Sequence, residues 1–171
     1  MKGHWKWQAW RPHGEWRSGA WECLGAWEYD NTFTAEGLNH MLDSTFHAAT
    51  QITTWYFAIF ESDTTPADGT TYAVPVYTES TAYDEANRPA FVESAASGKS
   101  LNNTASKAQF TISATKTIYG AALVGGGTDA DTKGDAAGGG TLMCGSKFET
   151  SRSLVDDDVL IVEMTLTLAD T

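Results

Sequence analysis

Two cysteines in 171 residues are too few to staple a fold. Cys23 and Cys144 have no neighbours at zinc-ligand spacing. The expectation is therefore two buried free thiols in a reducing compartment. Cations are also scarce: 11 Lys and Arg stand against 22 acids, a net charge of −11. A nucleic-acid groove needs clustered Lys and Arg, so neither nucleic acid nor an anionic membrane surface is an expected partner. Long apolar runs are absent. The longest, Trp55 to Phe60, is far short of the roughly 20 residues that cross a bilayer as a helix. The opening residues MKGHWKWQAW lack the apolar core of a signal peptide. A soluble chain, not exported by that route, is expected. Also missing are a Gly-x-Ser-x-Gly elbow, a Walker loop, a dinucleotide fingerprint and a zinc-protease motif.

Apolar residues make up 42% of the chain, enough to fill the core of one domain of ordinary size. The organising stretch is Thr34 to Phe60. Ala35, Leu38, Met41, Leu42, Phe46 and Ala49 recur at helical spacing and predict one apolar stripe. Thr34 is the expected N-cap, and Glu36 lies near the positive end of the helix dipole. Gly37 stands where a capping box would carry Glu. Ile52 to Phe60 is almost continuously apolar, which predicts a strand covered on both faces beside that helix.

Residues 1–33 hold six of the seven tryptophans. Trp5, Trp7 and Ala9 alternate with Lys6 and Gln8, and Arg11 to Gly14 reads as a turn. From Trp21 the alternation resumes through Cys23, Gly25, Trp27 and Tyr29. Gly-Ala-Trp-Glu occurs at 19–22 and again at 25–28, and this even period predicts that both Trp share a face. The segment is also electrically distinct. Lys2, Lys6, Arg11 and Arg17 balance Glu15, Glu22, Glu28 and Asp30, so the whole deficit falls on the rest of the chain. A Trp-rich β-arm is predicted. Its rings either complete the core of the body or meet another protein chain. The second reading makes Trp5, Trp7, Trp10, Trp16, Trp21 and Trp27 a contact surface.

Farther along, Glu61 to Thr71 reads as a loop, Thr71 to Tyr77 as an edge strand limited by Pro75, and Ala90 to Val92 as a short strand. Glu93 to Lys107 reads as a loop. Phe110 to Ala114, Ile118 to Val124 and Thr141 to Phe148 read as strands, with Gly120 allowing a bulge or a close approach. Gly125 to Gly140 is a low-complexity flexible loop. Leu160, Val162, Met164, Leu166 and Leu168 mark the inward face of the last strand. About eight strands and one helix predict a mainly β fold, a β-sandwich or jelly-roll-like body over 34–171. With the arm over 1–33 it would form a single compact unit.

Few residues nominate chemistry. Glu36, His40, Asp43 and His47 share a helix face, but a solvated face is the expectation rather than a metal site. Asp129 to Gly134 begins like a calcium loop, yet Lys133 holds a ligand position and Gly140 stands in place of the bidentate Glu. Asp156 to Asp158 reads as a charged turn. No carboxylate pair is nominated for a glycosidase. No catalytic residue, metal or cofactor is expected, and the chain is not read as an enzyme.

Several blocks together resemble small virion structural proteins of tailed bacteriophages. They are Glu36-Gly37-Leu38-Asn39 with Leu42-Asp43, Thr53-Thr54-Trp55-Tyr56 and its strand, Tyr83-Asp84-Glu85-Ala86, Arg88-Pro89-Ala90, Gly140-Thr141-Leu142 and the Thr-rich last strand. The resemblance spans roughly residues 34–171; the arm, the repeated tetrad and the Gly/Asp loop lie outside it. It implies a coat or tail component, most simply a capsid decoration (cement) protein of the virion assembled in the host cytoplasm. Its partners would be the major capsid protein and other copies of itself, as trimers in many such proteins. A tail or fibre component that recognises host glycan is the alternative, and a carbohydrate-active β-sandwich enzyme a remote one.

Overall fold

Period-two alternation of apolar residues builds two antiparallel sheets. The computed structural model describes residues 1–13 and 20–168. In chain order these form β1 (Lys2–His13), β2 (Ala20–Asp30), β3 (Thr32–Phe33), α1 (Ala35–Phe46), β4 (Trp55–Phe60), β5 (Ala90–Phe91), β6 (Ser100–Asn102), β7 (Ala108–Thr111), β8 (Lys116–Gly125), β9 (Thr141–Leu154) and β10 (Val159–Thr167). The first sheet has the order β2-β1-β10-β6, and β7 also pairs with β10. The second has the order β3-β9-β8-β4-β5. The mainly β expectation holds.

The main core draws on both sheets. Trp5, Trp7, Leu160, Val162 and Met164 come from the first; Phe57, Ile59, Leu123 and Phe148 come from the second. Trp5 meets Phe57 edge-on at 5.4 Å between ring centres, and Trp7 meets Phe148 at 5.0 Å. Such contacts add to the burial of the rings themselves. A smaller core lies on the other face of the second sheet. There Ala58, Phe60, Ala122, Val124 and Leu142 meet Tyr72, Tyr77 and Ala130. β4 is thus covered on both faces, as its continuous apolar run predicts.

The cover of that second face is not a helix. It is irregular chain, and this overturns two expectations. Thr71 to Tyr77 is not a strand, because Tyr72 and Tyr77 turn inward to pack. The Gly/Asp segment of residues 126–140 is pinned over the sheet, with Ala130 buried in it. Smaller differences follow the same logic. A strand, β6, interrupts the 93–107 loop and pairs with the end of β10. Gly120 sits at a register shift, close against Phe60 and Ser146, as expected. Cys144 is buried, but Cys23 is exposed.

The N-terminal segment is not an appendage. β1 lies between β2 and β10, so the first strand of the chain is an inner strand of its sheet. Arg11 to His13 continue it as strand rather than turning, since Arg11, Pro12 and His13 pair with Glu22, Trp21 and Ala20. The β1–β2 register shifts between Ala9 and Trp10: Ala9 faces Gly25, but Trp10 faces Cys23. The extra residue on β2 is Leu24. A bulge of this kind moves the residues beyond it to the other face of the ladder. Trp27 therefore stays with Trp7 on the core side, whereas Trp21 stands opposite Pro12 on the outer side. The two Gly-Ala-Trp-Glu copies do not present their Trp to one face. An even period keeps a face only where no bulge intervenes.

Candidate interaction surface

Helix α1 is set by its first turn. Thr34 is the N-cap: its hydroxyl accepts the Gly37 N–H at 3.0 Å and donates to the Leu142 carbonyl. Glu36 turns back instead of capping its own helix. Its carboxylate accepts the N–H groups of Tyr72 at 2.9 Å and of Leu142 at 2.6 Å. Gly37 explains the imperfect capping box. It is the one fully buried residue of the helix. A Cβ there would stand 2.5 Å from the Met143 Cα and 2.6 Å from its carbonyl oxygen. Glycine is what lets the helix lie on the β9 backbone. Gly37→Ala is accordingly expected to destabilise the chain by roughly 1–3 kcal/mol, although alanine favours helix by about 1 kcal/mol in an open site. Chemical denaturation of the two proteins checks it; an unchanged midpoint would mean that the helix does not rest there.

Docking at the N-terminal end leaves the C-terminal half without cover. The predicted apolar stripe is only partly buried: Met41 packs on the core, while Leu42 is 57% and Phe46 82% exposed. Leu42 and Phe46 are four apart and make a bare apolar ridge. Beside it runs a groove of about 360 Å³. Met41, Ile52, Trp55, Leu101, Met143 and Leu166 form its apolar wall. Thr45 and Leu168 are exposed at its border. His40, Glu93 and Lys99 supply its charged and titratable groups.

The six N-terminal tryptophans divide. Trp5 and Trp7 are 0% and 1% exposed, so the expectation that they form a contact surface is corrected: they fill the core. Trp10 and Trp27 are half-buried, Trp27 beneath the Arg152 guanidinium at 4.2 Å. Trp21 is 51% exposed. Trp16 lies outside the described residues. Beyond Trp10, β1 has no further partner in β10 and pairs only with β2. A predicted arm thus survives as the outer end of this hairpin, Arg11 to His13 against Ala20 to Glu22. Arg11 anchors it, donating to both carboxylate oxygens of the fully buried Asp158 at 2.7 and 2.6 Å. Asp158 also accepts the Val155 N–H. The Asp156–Asp158 run is therefore a charged turn only in its first two members.

The middle of the outer face of the first sheet, away from Pro12 and Trp21, is polar. Glu28, Lys6, Glu163 and Lys107 form a cross-strand row of alternating sign, with ion-pair distances of 3.4 Å at Lys6–Glu28 and 2.9 Å at Lys107–Glu163. His4 lies between Asp30 and Glu28, 3.0 Å from each. The Asp30 hydrogen bond, with Glu28 beside it, raises the imidazole above its usual pKa. Surface pairs of this kind contribute little stability.

The densest polar cluster is interior. Arg88, 4% exposed, donates to Glu79 from Nε at 2.8 Å and from Nη2 at 2.5 Å. Its other N–H groups reach the Tyr72 hydroxyl and the carbonyls of Ala130 and Asp135. Burial works against the charge, but Glu79 outweighs it and holds the guanidinium firmly protonated. Burial, with the Asp135 hydrogen bond, pushes the Tyr72 phenol up to about 12. Lys133 closes the other side, donating to the Tyr83 carbonyl and lying 4.3 Å from the Tyr83 ring centre. Every guanidinium N–H is used within the fold, so the cluster holds structure. Sequence reasoning missed Arg88. Its signal was isolation: it is the only Lys or Arg between Arg17 and Lys99.

The candidate metal residues do not converge. Glu36 is committed to two backbone N–H groups, and His40 accepts the Ile52 N–H at 3.4 Å and meets the Trp55 ring edge-on. Among the described residues no group of three His, Cys, Asp or Glu has metal-binding geometry. No described helix is long and apolar enough to cross a membrane. In comparisons with known proteins, no family model and no curated protein matches the chain.

Proposed function

We propose that the chain is a structural component of a tailed-phage virion, a capsid decoration protein that docks on the head shell and stabilises it. The observation that carries this reading is the bare apolar ridge of Leu42 and Phe46 beside its groove. Exposed apolar side chains bordering an apolar groove suit a protein–protein contact. The sandwich or jelly-roll arrangement belongs to the same proposal, with the main core between the two sheets and the charged outer face of the first sheet turned to solvent. The net charge of −11 favours solubility of the free chain. The major capsid protein is the partner on this reading, and docking is the whole of the activity.

Cryo-EM of the particle whose genome encodes the chain tests it. The expected result is density for two antiparallel sheets on the head shell, with α1 at the contact. Density confined to the tail would move the protein to the alternative role, and absence from the particle would end the proposal.

A further inference from the structure

β1 has an uncovered apolar feature near each of its ends. Near Lys2, which pairs with Thr167, lies the groove walled by Met41, Met143 and Leu166. Near His13 lies the outer end of the β1–β2 hairpin, with Trp21 half in solvent and Leu24 exposed at the bulge. Strand rise separates Lys2 from His13 by about 35 Å, so the Trp21 of one chain does not reach its own groove.

We propose that copies of this chain associate head to tail, the hairpin end of one copy seating Trp21 in the groove beside α1 of the next. Three observations select a second copy as the occupant. First, a chain of net charge −11 repels itself over most of its surface, but residues 1–34 sum to zero. The segment that carries Trp21 therefore adds no net charge of its own against a neighbouring copy, and the acids beside it are those of the Asp156–Asp158 turn that Arg11 meets. The groove's side chains include one acid, Glu93, and one base, Lys99, so it carries none of the chain's acidic excess. Second, the chemistry fits. An indole with one edge in solvent is a preferred anchor, and methionine sulfur and the Trp55 ring make a favourable lining for it. Third, the hairpin end runs past the last β1–β10 pair, tied back by the Arg11–Asp158 ion pair, and so presents Trp21 at the edge of the body where a neighbour can reach it. The two surfaces differ, so the contact is heterologous: it leaves one free hairpin and one free groove at the ends of any open assembly. The inference needs only the chain itself and stands apart from the virion assignment. A chain that stays monomeric yet decorates shells would sink this proposal alone.

Sedimentation velocity on the full chain across the micromolar range tests it. The expected result is concentration-dependent association. Trp21→Glu is expected to weaken it at least about 30-fold, as loss of a central anchor does. The pair Thr45→Glu and Leu168→Glu, at the groove border, is expected to do the same. All three positions are exposed, and unchanged thermal melts confirm that each variant is folded. Neither variant alone should associate, but a mixture of the two should form a one-to-one complex and nothing larger, since only one hairpin and one groove remain intact between them. A monomer at every concentration overturns the proposal. So does association lost with Trp21→Glu but kept with the groove pair, because the hairpin would then be meeting something other than the groove.

Discussion

Trp7→Ala is expected to cost about 3–5 kcal/mol of folding stability, and Trp5→Ala a similar amount, whereas Trp21→Ala in the monomer should stay within about 0.5 kcal/mol of the parent. The three residues come from one short segment and would look interchangeable in composition. Their positions in the ladder separate them. Trp5 and Trp7 stack at 5.5 Å on the inner face of a strand paired on both edges. Removing either ring opens a cavity between two sheets that cannot close on it, because Phe57 and Phe148 are held by the second sheet. Trp→Phe at the same sites should cost much less. The indole N–H groups of both residues are buried without an acceptor, so phenylalanine also discards an unpaired donor. Deleting residues 1–30 is the extreme case. It strips β10 of its β1 neighbour and takes Trp5, Trp7 and Ala9 out of the main core, and the remainder should not fold cooperatively. Urea denaturation followed by tryptophan fluorescence measures the substitutions. A truncated chain that melts like the parent would show the hairpin to be an appendage after all.

That contrast marks how much was legible in the sequence. Alternation is a local signal and reads well. The inward face of β10 from Leu160 to Met164, the doubly covered β4 and the Thr34 cap were all visible in residue order, whereas Leu168, expected to face inward with them, lies past the end of the strand and is 55% exposed. The bulge at Leu24 was not visible, since it depends on what β1 does across the ladder. It reverses the face of Trp21, so the repeat that promised one Trp-rich surface instead puts one ring inside and one outside. The helix shows the same limit. A stripe of apolar residues was plain, but only the contact of Gly37 with Met143 decides which end of it is buried. The low-complexity stretch at 125–140 was the least readable. Its glycines fit a flexible tether, yet the segment is held by contacts to distant residues, above all Arg88 with Tyr72 and Glu79, and also Asn87 and the Tyr83 carbonyl.

Arg88→Met should therefore be the most damaging polar substitution in the chain, at about 3–5 kcal/mol. The loss is not that of one ion pair. Glu79, 8% exposed at its side chain, would be left as a buried charge with no counterion and only the Gly134 N–H to solvate it, and that desolvation dominates. Three carbonyl and hydroxyl acceptors would also lose their donor. The segment carrying Ala130 and Asp135 would then lose its hold over the second sheet, uncovering Tyr72 and Phe60. For a chain of this size the melting temperature should fall by roughly 10 °C. The double variant Arg88→Met with Glu79→Leu distinguishes the cause. If the buried carboxylate is the source, removing it too should restore a large share of the stability, since a buried pair is often replaced by apolar groups at little net loss. If the hydrogen bonds to Tyr72, Ala130 and Asp135 are the source, the double variant should be no better than the single one. Amide exchange at Gly134 and Gly138 adds a local reading. Both donate to carboxylates of the cluster, Gly134 to Glu79 and Gly138 to Asp135, and both should lose protection before the sheets do. Retained protection at these two amides in the single variant would show that the segment folds without Arg88.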